Sequence, residues 1–154
     1  MGTGFSDADI AKLAINMESR GMAFYNSAAR LTDDPEIKQV FHKLAEEEKE
    51  HREVFTRLFA GVTGENKMFS QATAGYLKVV LSTSLFPEKT DSMERVKTVK
   101  DALAVGIQAE KDAILLYHEL YQNTENPETK EVLSKLLEEE KMHLVDLRDY
   151  MEEQ

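Results

Sequence analysis

The chain has 154 residues, 29 acidic side chains against 19 basic ones, a formal charge of −10, and no cysteine. That length can bury a sizeable core without disulfides, and the missing cysteine excludes disulfide staples, thiolate metal sites, cysteine-ligated iron–sulfur centres and a thiol nucleophile within these residues. The acidic balance makes nucleic acid and anionic membranes poor partners. No apolar run approaches the ~18 residues of a membrane span, and Met1–Ile10 lacks the basic and apolar regions of a signal peptide, so a cytoplasmic location is expected.

Four long segments read as helices in a single domain. The first runs from about Asp7 to Arg30, with Ser6 as N-cap and Asp9 completing a capping-box pattern. The second runs from about Pro35 to Ala60 and is closed by Gly61; Asp34 caps it and Pro35 takes its first position. Residues 61–97 read as a long crossover containing a short helix, roughly Lys67 to Leu85. Its apolar residues Tyr76, Val79 and Val80 point to a subunit contact, so a homodimer is expected. The third long segment runs from about Thr98 to Gln122. The fourth runs from about Pro127 to Met151, with Asn126 as its cap. The two short connections make each pair an antiparallel helical hairpin, and a crossover of this length can return the chain to the end where the second helix began. The fold class is therefore all-α: a four-helix bundle of two helical hairpins joined by a long crossover.

The hairpins look duplicated. Sliding the chain by 92 positions places Glu18 on Glu110, Tyr25 on Tyr117, Pro35 on Pro127, Glu48 on Glu140 and His51 on His143. Over Ala14–Leu58 against Gly106–Tyr150, 15 of 45 positions are identical. Unrelated sequences would give about three at ordinary residue frequencies.

Alternating four-and-three spacing marks the core stripe of each helix. The stripes are Ala11, Ile15, Glu18, Met22, Tyr25 and Ala29; Ile37, Phe41, Leu44, Glu48, His51, Phe55 and Leu58; Leu103, Ile107, Glu110, Ile114, Tyr117 and Tyr121; and Leu133, Leu136, Glu140, His143, Leu147 and Tyr150. Each helix thus carries an ionisable group at mid-length on its apolar face. Four carboxylates facing one another in a dry core would be very costly unless protonated or neutralised. Two divalent metals neutralise four carboxylates, and two imidazoles add nitrogen ligands at i, i+3 from Glu48 and Glu140. A single Glu-x-x-His in a glutamate-rich helix usually marks a solvated face. Here two of them occur with two mid-stripe glutamates at matched spacing, and none of the six ligand types is replaced, as it would be in a bundle that had lost its metal. This is the ligand set of ferritin-like di-metal proteins.

Tyr25 and Tyr117 lie two turns beyond Glu18 and Glu110; ordinary packing and a hydrogen bond to a ligand carboxylate fit equally well. Glu47 and Glu139 could orient the histidine of the opposing hairpin, but exposure is the favoured reading. His42 and His118 fall off the stripes and read as surface residues.

At "MESRGMAFY" with Glu18 and Tyr25, "EEEKEH" at Glu46–His51, "AEKDAILLY" with Glu110, and "EEEKMH" at Glu138–His143, the chain resembles the rubrerythrin branch of the ferritin-like superfamily. The resemblance covers all four helices and implies a redox-active di-iron centre, with manganese as second choice of metal; an oxygen-rich site with two imidazoles suits both. It further implies that Glu48 and Glu140 bridge the metals, Glu18 and Glu110 are terminal ligands, and His51 and His143 each bind one metal. The implied activity is reduction of hydrogen peroxide. The alternatives are a ferroxidase or iron-handling protein using oxygen, and a bundle with a mainly structural site and an interaction role. Two departures stand out. The cysteine-bearing rubredoxin domain of rubrerythrins is missing, so an external donor such as a rubredoxin is expected. Ala113 occupies the position of an extra glutamate found in typical rubrerythrins, which implies a more symmetric site.

Overall fold

The computed structural model describes residues 7–60, 69–82 and 96–154. Helix α1 spans Asp7–Ala28 and tightens into a 3₁₀ turn at Ala29–Leu31; α2 spans Pro35–Leu58; α3 spans Gln71–Ser82; α4 spans Val99–Asn123; α5 spans Pro127–Glu152. No strand occurs among the described residues. The four long helices are those expected, with ends displaced by a residue or two, and the expected short crossover helix is present but begins four residues later, at Gln71. Ser6, Gly61, Lys67 and residues 83–85, invoked at predicted ends, lie outside the described residues.

The helix starts are fixed by side chains that take up backbone N–H groups otherwise left without partners. Asp34 Oδ1 accepts from the N–H of Glu36 at 2.9 Å, and Asn126 Oδ1 accepts from Glu128 at 2.9 Å and Thr129 at 3.2 Å. Each is followed by a proline at the first helical position. At α4, Thr98 Oγ1 accepts from the Asp101 N–H at 3.1 Å, and Asp101 Oδ2 accepts from the Thr98 N–H at 3.2 Å. This reciprocal box is legible in the sequence and was not among the expected caps.

Side-chain pairs set the helix directions. Tyr25 of α1 meets Glu110 of α4, while Glu18 meets Tyr117, so numbers fall along one helix as they rise along the other. His51 of α2 meets Glu139 of α5, while Glu47 meets His143. Both pairs of neighbours are antiparallel, as a crossover running the length of the bundle requires.

The predicted stripes are buried or half-buried throughout. In α1 and α4 they are only part of the buried surface. A second row, Ile10, Ala14, Met17 and Phe24 in α1 with Ala102, Ala109, Ala113 and Leu116 in α4, is buried as well. The reason is α3, which packs against both helices and buries Ala74 and Leu77. The alanines in this row let a fifth helix approach.

Candidate metal centre

Glu18, Glu48, His51, Glu110, Glu140 and His143 converge at mid-length of the bundle, and all six are buried, none more than 6 % exposed. They form two triads, Glu18/Glu48/His51 and Glu110/Glu140/His143; within each, one oxygen or nitrogen per residue lies within 4.8 Å of the others. Each triad draws its Glu-x-x-His pair from one helix and its third carboxylate from that helix's hairpin partner. The imidazole rings stack across the centre, 6.0 Å apart.

Each histidine turns Nδ1 inward. His51 Nδ1 is 2.7 Å from Glu140 Oε1 and 3.8 Å from Glu18 Oε2; His143 Nδ1 is 3.8 Å from Glu140 Oε2 and 4.0 Å from Glu110 Oε2. The outward nitrogens are held by the opposing hairpin. His51 Nε2 lies 2.9 Å from Glu139 Oε2, and His143 Nε2 pairs with Glu47 Oε2. The expected exposure holds for Glu139, 53 % exposed, and needs correction for Glu47, 24 % exposed; both grip a buried ring. A carboxylate on Nε2–H fixes the tautomer that leaves Nδ1 free as a ligand. Ordinary packing alone also fails to describe the tyrosines. Tyr25 donates to Glu110 Oε1 at 2.8 Å, and Tyr117 donates to Glu18 Oε1, its hydroxyl 3.4 Å from His51 Nδ1. Both pairs cross between the duplicated halves. His42 and His118 are exposed, as expected, and Ala113 is buried.

The electrostatics follow from burial and crowding. Burial pushes the Glu48 carboxyl well above the usual range, and neighbouring Glu18 adds to this; burial likewise raises Glu18. Burial would raise Glu140 too, but His143 and His51 beside it outweigh burial and lower it. Burial opposes charge on both imidazoles, yet Glu140 lifts His51 to about 9, and Glu140 with Glu47 lifts His143 to about 10. Burial and the surrounding carboxylates hold both tyrosines well above 10, so they act as neutral donors.

The donor set fits a pair of divalent metals. Glu18 Oε2, Glu110 Oε2, both oxygens of Glu140 and His143 Nδ1 are buried with no well-aligned hydrogen-bond partner. Such atoms are costly to bury unless something satisfies them, and they all belong to the two triads.

The profile of the rubrerythrin family matches residues 9–151. Among solved structures, the chain is similar to a Thermotoga maritima protein assigned to the ferritin-like diiron-carboxylate class, at 26 % identity and a TM-score of 0.75, over 99 % of each chain. No curated protein matches.

Proposed function

This chain belongs to the rubrerythrin family, and from that premise we propose that it is a di-iron oxidoreductase that reduces hydrogen peroxide. The carrying observation is the pair of buried Glu/Glu/His triads, in which Glu18 Oε2, Glu110 Oε2, both oxygens of Glu140 and His143 Nδ1 are left without aligned hydrogen-bond partners. In this reading Glu18, Glu48 and His51 would hold one metal and Glu110, Glu140 and His143 the other, with Glu48 and Glu140 shared between them and each histidine offering Nδ1. Iron is the working metal and manganese the second candidate. When bound, the metal pair supplies the two electrons that, with two protons, convert hydrogen peroxide to two waters.

The chain's own residues prepare that chemistry. Tyr25 and Tyr117 each hold one oxygen of a terminal carboxylate. Glu47 and Glu139 keep the imidazoles turned inward. Phe41 and Phe55, fully buried, pack on the tyrosines and keep water from the flanks of the centre. The 154 residues contain no cysteine, so re-reduction draws on a donor outside them, such as a rubredoxin. A subunit contact through α3, where Tyr76 is 43 % and Val79 63 % exposed, would make the working unit a homodimer. No described helix is long and apolar enough to cross a membrane.

A second reading, a ferroxidase that uses oxygen, is favoured by one observation. Ala113 stands where typical rubrerythrins carry a further glutamate, which leaves a site built from two matching triads. Stopped-flow spectra of the diferrous protein decide between them. Faster oxidation by peroxide than by oxygen supports the first reading, and the reverse order supports the second. Slow oxidation by both would contradict each and leave a structural role for the metal. With peroxide, a single oxidation should be followed by arrest, and turnover should resume on adding a donor protein with its reductase.

A further inference from the structure

The pairing of Tyr25 with Glu110 depends on space left by a glycine. Gly106 lies one turn before Glu110 in α4, and a Cβ there would stand 3.0 Å from the Tyr25 hydroxyl oxygen, 3.2 Å from its Cε1 and 3.4 Å from Leu147 Cδ1. Tyr25 has little room to retreat. It is fully buried, with Phe24 edge-on at 5.6 Å and Phe41 stacked at 6.2 Å. Glycine inside a helix ordinarily weakens it relative to alanine, so a glycine here is accounted for by what the missing Cβ admits.

The duplicated position, 92 residues earlier, is Ala14, which is also fully buried. The halves therefore differ beneath their terminal carboxylates. The surroundings differ too: Tyr117 reaches both Glu18 and His51, and Glu140 leans toward His51 at 2.7 Å rather than His143 at 3.8 Å.

We propose that Gly106 is a positioning residue that seats the Tyr25 hydroxyl on Glu110 Oε1, so that Glu110 offers only Oε2 to a metal held with Glu140 and His143, an arrangement the other half reaches with Ala14 in place of the glycine. Oε1 is engaged at 2.8 Å, whereas Oε2 is buried without a partner. Gly106 thus acts, through Tyr25, on one of two metal positions. The inference rests on the metal-centre reading above.

The test combines Gly106→Ala, Tyr25→Phe and the double variant, read by melting of the metal-free protein and by anaerobic Co(II) titration followed in the visible spectrum. An unconstrained helical Gly→Ala raises stability. Here the melting temperature of Gly106→Ala should fall, by about 2–4 °C at this chain length. The double variant should recover part of that loss relative to Tyr25→Phe, because the atom nearest the new Cβ is gone. In the titration each single variant should weaken one of two binding steps by roughly 10- to 100-fold, leave the other unchanged, and match the double variant. A raised melting temperature in Gly106→Ala, additive titration effects, or equal weakening of both steps would overturn the proposal. Should Gly106→Ala fail to fold, an unchanged titration in Tyr25→Phe would overturn it alone. A native chain that takes up no Co(II) would overturn the metal-centre reading and the positioning role with it, while the melting cycle would still report the Gly106–Tyr25 contact.

Discussion

Glu47 and Glu139 are each one position before a candidate bridging glutamate and fall off the apolar stripe, yet each reaches across the bundle to a histidine of the other hairpin. A helical wheel treats each helix alone, so it assigns such residues to solvent. What it lacks is the antiparallel register of α2 against α5, which sets residue 139 opposite 51 and residue 47 opposite 143. The repeat itself carried a usable signal, since both glutamates are kept across the 92-residue shift. The six candidate ligands were legible for the opposite reason: carboxylates at mid-stripe conflict with the apolar pattern around them. Glu47→Ala and Glu139→Ala should each weaken metal binding by roughly 10- to 100-fold, as loss of the partner of a ligating histidine typically does. The loss should be larger for Glu47, the less exposed of the two. Gln at either position keeps an acceptor and should retain most of the affinity. Equal, unweakened binding isotherms in both alanine variants would show that the imidazoles are oriented by something else.

At the scale of the element, the long helices were readable because their caps and prolines are strong local signals, and because the apolar period persists for several turns. The second buried row of α1 and α4 was not readable. Half of it is alanine, which scores weakly as a core residue, and its burial depends on where α3 docks. Asp112 shows the same effect. It is buried on α4 beside Gln108, whose side chain donates to it at 3.1 Å, and burial raises its carboxyl. Helix α5 offers a clean test of local against central contributions. Asn126→Ala removes the acceptor for two N–H groups at its start and should cost about 1 kcal/mol. The melting temperature should drop by about 2–4 °C, with metal stoichiometry unchanged because the cap lies far along the helix from Glu140. A loss of metal on breaking this cap would mean that the centre and the helix end are more tightly coupled than the geometry indicates.

Across the whole molecule, the centre joins four helices through groups that repel one another or hold protons until a metal replaces them. Folded pKa values of about 9 for His51 and about 10 for His143 lie above the ordinary 6.5. The stability they give is therefore present in full below about pH 6.5 and is lost as pH rises through those values. Glu18 and Glu48, raised by burial, act in the same direction. Glu140 and Glu47 are lowered, so their contribution is present above the usual carboxylate range and is lost in acid. The melting temperature of the metal-free protein should fall between about pH 7 and pH 10, while the metal-loaded protein should resist that fall, since metal takes the place of the protons. Metal binding near neutral pH should release protons, measurable as a buffer-dependent binding enthalpy. At this scale the sequence revealed the duplicated hairpins and the length of the crossover. A subunit contact through α3 was inferred from exposed apolar residues alone; Val79→Glu should shift the sedimentation coefficient toward the monomer if that contact exists.

The central claim, a two-metal centre held by six residues, is tested most directly by iron stoichiometry after anaerobic Fe(II) loading. The native chain should retain about two irons, as this ligand set does in ferritin-like carboxylate proteins. Glu48→Ala and Glu140→Ala, each removing a bridge between the triads, should lower that number, whereas Glu46→Ala, on the exposed face of α2, should leave it unchanged. Native stoichiometry in both bridge variants would contradict the account.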